Sequence, residues 1–194
     1  MAKSSRSKTY EQKRSRGRTP EPFGGKRPIA ARPMFVIQKH DASSLHFDLR
    51  LEIGGALKSW AVPKGPSLDP REKRLAIETE DHPIAYGGFE GVIPDGEYGG
   101  GTVMIFDIGP MKNFKDTALE DQYEDGQIEV ELCGERIKGK YALIRIGEKS
   151  GANWLLIKMK DDAADARRKP ASVEKRSVAS GRTMHEIRKA AADG

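Results

Sequence analysis

The chain has 194 residues, 37% hydrophobic and 32% charged, with a net charge of +5, which is enough for one ordinary domain with flanking segments. No apolar run reaches transmembrane length and no signal-peptide pattern is present, so a soluble intracellular protein is expected. The single cysteine, Cys133, excludes an intramolecular disulfide and a cysteine zinc cluster, and its place in Ile128-Glu129-Val130-Glu131-Leu132-Cys133 predicts a strand end rather than an activated thiol.

The charge divides the chain into three. Residues 1–33 carry ten Lys/Arg against Glu11 and Glu21, a net +8, while residues 34–160 carry −5 and residues 161–194 carry +2. Rich in Ser, Lys, Arg, Gly and Pro, segment 1–33 is expected to be a basic, largely flexible arm. Segment 34–160 is expected to be the domain proper, and 161–194 a charged helical or linker tail. A basic arm on a mildly acidic domain is an electrostatic tether for a polyanion, with nucleic acid first among the candidates. For residues 1–9 a solubilising tail is the alternative.

Taken in chain order, the domain reads as short strands: Phe35–Gln38, Leu45–Ile53, and Ala56–Val62 across a Gly54-Gly55 hairpin turn. Pro63-Lys64-Gly65-Pro66 stops the hairpin. Arg74–Thr79 is another alternating segment, followed by the loop Glu80-Asp81-His82-Pro83 and a glycine-punctuated run from Tyr86 to Gly101. Further strands are predicted at Gly101–Asp107, Gln127–Cys133, Lys138–Ile146 and Asn153–Met159, with a helical suggestion only at Phe114–Glu124. Beyond Asp161 a helix or linker is expected, ending in a short helix over Thr183–Ala191. About eight short strands separated by Gly, Pro and Asp turns give a mainly β fold, a closed or strongly curved β-barrel with minor flanking helix.

Chemistry concentrates in residues 40–50. In a strand from Leu45 to Ile53 the period of two sends His46, Asp48 and Arg50 to one face, and Leu45, Phe47, Leu49 and Leu51 to the other. Two imidazoles and a carboxylate leave open positions on a divalent ion, and the arginine one step along reaches an anion held there. His40, folded back by the turn Asp41-Ala42-Ser43-Ser44, is the natural third ligand. A half-exposed strand with a polar face, and a histidine that caps a strand end, remain the structural alternatives.

Lys64, Arg74 and His82 follow on segments that antiparallel pairing brings alongside, each a phosphate donor or a solvated surface charge. His82 stands out because Pro83 holds its backbone extended, Glu80 precedes it by one strand period and Tyr86 follows in a glycine loop. It either serves a phosphate or satisfies a buried carbonyl. The glycines of residues 87–101 fit no nucleotide-binding spacing and are read as turns. No Lys-x-Asp-Gly nucleotidyl-transfer signature is present.

Together these residues resemble the 3′-phosphoesterase family, the end-healing module found at the head of bacterial DNA ligase D and as free-standing proteins. The likeness runs through Phe35-Val36-Ile37-Gln38-Lys39-His40, Leu45 to Glu52, Ser59 to Gly65 and Glu80-Asp81-His82-Pro83. It resumes at Tyr86 to Gly91, Ile93-Pro94, Tyr98-Gly99 and Trp154-Leu155-Leu156-Ile157-Lys158. The resemblance implies a β-barrel with a crescent groove and a manganese-dependent enzyme, other divalent transition metals being open. The resemblance implies that such an enzyme removes 3′-terminal ribonucleosides and 3′-phosphates from DNA or primer-template ends to leave 3′-OH. It further implies that His40, His46 and Asp48 bind the metal and that Arg50, His82 and Tyr86 surround the scissile phosphate. Lys64, Arg74, Glu80, Arg14 and Glu21 are implied to support them.

By the same resemblance the partners are nucleic acid, an ATP-dependent DNA ligase, a polymerase and a Ku-type end-binding protein, in a cytoplasmic, nucleoid-associated setting with no membrane. The family's Lys-Arg-Asp-Phe stands here as Lys13-Arg14-Ser15-Arg16, without its acidic residue. Ser177 to Thr183 resembles the stretch that follows the module in fused ligases. A free-standing protein and a piece of a larger one both stay open, Met1 and the end at Gly194 favouring the former.

Two rival functions use the same residues. A non-haem iron oxygenase would employ His46-x-Asp48 with a distal His82 or His185 as its triad, but it leaves Lys64, Arg74, His40 and the basic arm without purpose. A non-catalytic nucleic-acid adaptor would keep the fold without the reaction, and the intact ligand and phosphate positions argue against it.

Overall fold

The structure, a computed structural model, describes residues 9–148 and 152–193; the expectations for residues 1–8 lie outside them. Its strands are β1 (Met34–Asp41), β2 (Leu45–Ile53), β3 (Ala56–Val62), β4 (Lys73–Glu78), β5 (Gly91–Ile93), β6 (Gly101–Asn113), β7 (Gln127–Cys133), β8 (Lys138–Arg145) and β9 (Asn153–Lys158). The helices are α1 (Leu119–Asp125), α2 (Pro170–Val173) and α3 (Met184–Ala192). Pairing runs β1-β2-β3-β4-β9-β8-β7-β6 and closes through β6 and β1, so eight antiparallel strands form a closed barrel to which β5 adds along β6.

Alternation decides which residues face inward. From β1 and β2 the interior takes Phe35, Ile37, Phe47, Leu49, Leu51 and Ile53, which meet Trp60, Phe106, Val130, Leu143 and Trp154 in one continuous core. Phe47 meets Phe106 edge to face at 5.2 Å, and Trp60 meets Trp154 at 5.5 Å, a preferred aromatic arrangement. Burying each such side chain contributes roughly 1.5–3 kcal/mol. The β2–β3 hairpin turns on Gly54 and Gly55, both at positive φ (62° and 80°), as a two-residue hairpin turn requires.

A second apolar layer covers the outside of the same strands. Met34, Val36, Leu57, Val103 and Ile105 pack under Tyr10 from the amino-terminal segment, under Tyr86 from the 3-10 turn Ile84–Gly88 and under Phe89 that follows it. β1, β3 and β6 are therefore covered on both faces beside the site. Tyr10 is fixed by its hydroxyl donating to the Pro22 carbonyl at 2.8 Å.

Several elements differ from the sequence expectation. β6 runs on to Asn113 because Gly109 lies against β7's end: a Cβ there would stand 2.5 Å from the Cys133 carbonyl oxygen. α1 begins only at Leu119, since the Asn113 side chain ties down the turn before it through the Lys115 amide (3.0 Å) and the Thr117 carbonyl (2.8 Å). Residues 161–169 hold no helix, their chain being organised by Asp161, which receives the Lys140 and Ala163 amides and the Lys158 ammonium. Further on, Val178 donates its amide to the Ile105 carbonyl at 3.1 Å, and Ile187 of α3 is buried. No helix among the described residues is long and apolar enough to cross a membrane.

Candidate active site

The site is built on the outer face of the β1–β2 hairpin. His40 and His46 are directly opposed across the ladder, with their ring centroids 4.8 Å apart, and Asp48 follows one pleat along. The Asp48 carboxylate lies 3.4 Å from His40 Nδ1 and 3.5 Å from His46 Nε2. One donor atom from each of the three residues falls within 4.8 Å of the others.

The remaining ring nitrogens are already engaged. His40 Nε2 is 2.8 Å from the Gly99 carbonyl, and His46 Nδ1 is 2.9 Å from that of Ser44. A carbonyl only accepts, so each of these nitrogens carries the proton, and the lone pairs of His40 Nδ1 and His46 Nε2 face Asp48. Three acceptors aimed at one point need a cation between them. That is a fit for a divalent metal with a mixed nitrogen and oxygen ligand set, and the donor set alone does not choose among metals.

The charges agree with this reading. Burial opposes ionisation of Asp48, but the Arg50 charge and the two imidazoles outweigh it and hold the carboxyl well below the usual carboxylate range. The hydrogen bond to Asp48 raises the His46 pKa against burial, as expected where a proton takes the cation's place.

Arg50, the next outward residue of β2, is buried and almost fully committed. Nε donates to Gln38 Oε1 at 2.7 Å, Nη1 to Ser59 Oγ at 2.8 Å and Nη2 to Asp48 at 3.3 Å. Gln38 in turn donates to the carbonyls of Tyr86 (3.1 Å) and Phe89 (2.9 Å), joining the arginine to the turn that covers it. The Tyr86 ring lies under the guanidinium at 4.7 Å and packs edge-on against His82 at 4.6 Å.

His82 is pinned to β3 by an exchange of backbone hydrogen bonds with Leu57. Its Nδ1 lies 2.8 Å from the Glu80 carbonyl and 3.0 Å from Arg50 Nη1, while Nε2 faces Arg14 Nη2 at 3.4 Å. At Nδ1 the Glu80 carbonyl is the shorter contact and can only accept, while Arg50 Nη1 has Ser59 Oγ as its acceptor, so the proton sits on Nδ1 and Nε2 keeps its lone pair toward the Arg14 donor. Burial first, and then the charges of Arg50 and Arg14, push the imidazole well below its ordinary value, so it is neutral near pH 7.

The amino-terminal segment closes one side. Arg14 donates through Nε to Glu21 at 2.8 Å and through Nη1 to Glu80 at 3.0 Å. The acidic residue that the family pattern has after Arg14 is Ser15 here, and Glu21 and Glu80 hold the guanidinium. Lys13 donates to Glu80 at 3.0 Å and to the Tyr98 hydroxyl at 3.2 Å, linking the segment to the loop before β6. Burial opposes the ionisation of Glu80, but Lys13 and Arg14 keep its carboxyl below the ordinary range.

An open pocket of about 280 Å³ joins His40, His46, Asp48, Arg50, His82 and Arg14, with Glu80 on its wall. Tyr86 and Glu21 stand behind this lining, against Arg50 and Arg14. Lys64 is exposed in the turn after β3, at the barrel end that carries His46. Arg74 is not brought into the pocket: it shares the inward parity of Ala76 and donates to Glu72 at 2.6 Å. His185 is exposed on α3 and absent from the pocket wall.

Sequence reasoning missed Gln38, Ser59, Lys13 and Tyr98. The first two carried a signal, being polar residues on the outward parity of β1 and β3. Lys13, at the end of the 3-10 turn Glu11–Lys13, and Tyr98, in the loop before β6, carry no periodic signal and stand only within stretches of the family likeness.

A closed β-barrel whose outer face gathers a His-His-Asp donor set and buried arginines has the makings of a metal-assisted phosphoester hydrolase. The family model of the DNA ligase D 3′-phosphoesterase domain matches residues 38–145, more than half of the chain. The multifunctional non-homologous end joining protein LigD of Pseudomonas aeruginosa is 46% identical over 158 residues, covering 80% of this chain and 19% of that protein. LigD of Mycolicibacterium smegmatis is 46% identical over 158 residues, covering 79% of the chain and 20% of the relative. The multifunctional non-homologous end joining DNA repair protein LigD of Mycobacterium tuberculosis is 44% identical over 153 residues, covering 78% and 19%. The chain belongs to the DNA ligase D 3′-phosphoesterase domain family. It spans about a fifth of the length of these curated relatives.

Proposed function

We propose that the protein is a manganese-dependent 3′-end-healing enzyme of DNA repair by end joining, which removes 3′-phosphates and 3′-terminal ribonucleosides to leave 3′-OH. The observation that carries this reading is the convergence of three donor atoms, His40 Nδ1, His46 Nε2 and an Asp48 oxygen, beside two buried guanidiniums and one neutral imidazole. His40 Nδ1, His46 Nε2 and Asp48 would hold the ion. When bound, the ion supplies Lewis-acid polarisation of a phosphate oxygen.

Arg50 orients the phosphate with the Nη2 edge that faces the pocket beside Asp48, and offsets the charge that grows on the phosphoryl oxygens. Arg14 does the same from the opposite side. His82 takes a proton at Nε2 from the attacking water, or accepts a hydrogen bond from a 2′-hydroxyl, because its proton is held at Nδ1 by Glu80. Tyr86, Gln38 and Ser59 keep Arg50 and His82 in place, and Glu21 and Glu80 do so for Arg14. Lys64 contacts the nucleic-acid backbone leading away from the site, while Arg74 steadies that barrel end through Glu72. The working partners would be a ligase, a polymerase and a Ku-type end-binding protein, meeting at DNA ends in a nucleoid-associated cytoplasmic setting.

Phosphate release from a 3′-phosphorylated oligonucleotide, followed with EDTA and then with added manganese, magnesium or zinc, tests the reading. Release that needs a divalent ion and is fastest with manganese is expected. Binding without release under every metal would support the adaptor reading, and turnover that consumes oxygen with ferrous iron would support the oxygenase.

A further inference from the structure

The barrel mouth next to the site carries a cluster of cations that the reaction does not use. Lys39 immediately precedes the metal-group residue His40 but points to the opposite side of β1, where its ammonium lies 5.6 Å from the centre of the Phe47 ring. Phe47 meets Phe106, and the Arg136 guanidinium stands 5.1 Å over Phe106 while donating to its carbonyl at 2.9 Å. Gly65 and Ala171 of α2 close this end against Phe47, and the chain leaving α2 brings in the exposed Lys175. Arg136 reaches Glu174 at the end of α2, and Lys175 is the next residue, so the three cations share this end of the barrel. Of the nearby carboxylates, Glu174 is engaged by Arg136 at 3.7 Å and Asp41 by Arg188 at 2.6 Å. Lys39 and Lys175 make no ion pair among the described residues, and unpaired cations beside a fixed strand end are what a ladder of phosphates recognises.

We propose that Lys39, Arg136 and Lys175 form a duplex-DNA-holding surface at the barrel mouth, gripping backbone phosphates behind the 3′ end that enters the pocket. The inference rests on the 3′-end reading of the pocket. The surface lies one residue of β1 away from the metal group, so substrate reaching it has a nucleic-acid body and not only a reactive end. Each strand presents a phosphate about every 3.4 Å of helix axis, so cations spread across the barrel mouth meet more than one. A substrate of one or two nucleotides does not extend this far.

Binding measured without turnover separates this surface from the catalytic reading. Fluorescence anisotropy is read with a duplex of roughly one helical turn, about 10 base pairs, and with a 3′-phosphorylated trinucleotide, both in EDTA. The double variant K39Q/K175Q is expected to weaken duplex binding on the order of 10-fold or more near 0.1 M salt and to lower the log–log salt slope by about 2. Trinucleotide binding should change less than twofold. The charge-retaining K39R/K175R should bind duplex like wild type, and Lys175→Gln alone, at an exposed position, gives half the slope change without any question of folding. Equal duplex affinity and salt slope in wild type and K39Q/K175Q would overturn the proposal and turn attention to an acidic protein partner for this face. Metal-dependent phosphate release by wild type, assayed separately, reports on the catalytic reading whichever way the binding result falls.

Discussion

The two faces of β2 differ in almost everything except their backbone. Inward, Phe47, Leu49 and Leu51 join a core that has no geometric role in chemistry; outward, Asp48 and Arg50 are buried and His46 half-buried, all satisfied by polar partners. Burial in the first case stabilises the fold, and in the second it sharpens charge, because a low-dielectric setting strengthens each ion and hydrogen bond. One strand thus makes the site as rigid as the core, which a loop-borne site is not.

Exchanging the two faces breaks the comparison most severely. His46→Ala and Asp48→Ala should each lower metal-dependent turnover on the order of 10³-fold or more while the protein remains folded. Leu49→Ala should do the reverse, costing about 2–5 kcal/mol of stability with turnover of the folded fraction preserved. Urea titration beside initial rates on a 3′-phosphate oligonucleotide checks both, and an Asp48→Ala protein that still turns over would remove Asp48 from the ligand set.

Deleting residues 1–22 sharpens the outward face, since Tyr10, Arg14 and Glu21 leave with it. The Tyr10 ring packs 4.9 Å from His82 and the Arg14 guanidinium sits on Glu80, so the saturated rate should fall roughly 10-fold or more, as losing one charge-assisted contact implies. Removing residues 1–9 alone should change only the salt dependence of binding. Rates at saturating substrate and two salt concentrations compare the truncations; an unchanged saturated rate after the longer deletion reduces the segment to a tether.

The smallest effect is in pH. The unfolded His82 takes up a proton below about 6.5, which the folded site refuses, so its contribution is complete above that value. It is lost as pH falls, by up to about 1.4 kcal/mol per unit. His46 has the opposite sign: its folded pKa is raised, so its contribution is complete below about 6.5 and fades as pH rises through the folded value. In EDTA, His82→Asn should therefore flatten the loss of stability between pH 7 and 5, and His46→Asn should steepen it. Denaturant midpoints at the two pH values give the answer, and parallel slopes in all three proteins would show that His82 accepts a proton in the folded state.

How far sequence carries depends on whether a residue obeys a period. β2 and β3 are read with their observed bounds because strict alternation flanks a two-glycine turn. β5 has only three residues, and Gly109-Pro110 inside β6 reads as a turn, although close approach to β7 makes it part of a strand. Within the site, the His40–His46 opposition follows from a three-residue connection between two strands. Arg74 was drawn toward the pocket by its charge, yet its parity sends it inward. No period marks Lys13 or Tyr98, since their meeting depends on how two segments outside the strands cross over a finished barrel.

The carbonyls of Ser44 and Gly99 give the histidine pair a property independent of any reaction. One ring offers Nδ1 and its opposite number Nε2, so the pair is handed: the two imidazoles approach a shared point by different edges, and exchanging them does not restore the same geometry. A hairpin of this kind, from His40 to Asp48, is a compact unit for transplantation into other antiparallel sheets. It would travel with its own support at His46, because Ser44 lies within the hairpin. At His40 the recipient would have to supply a carbonyl from outside, as the loop before β6 does here.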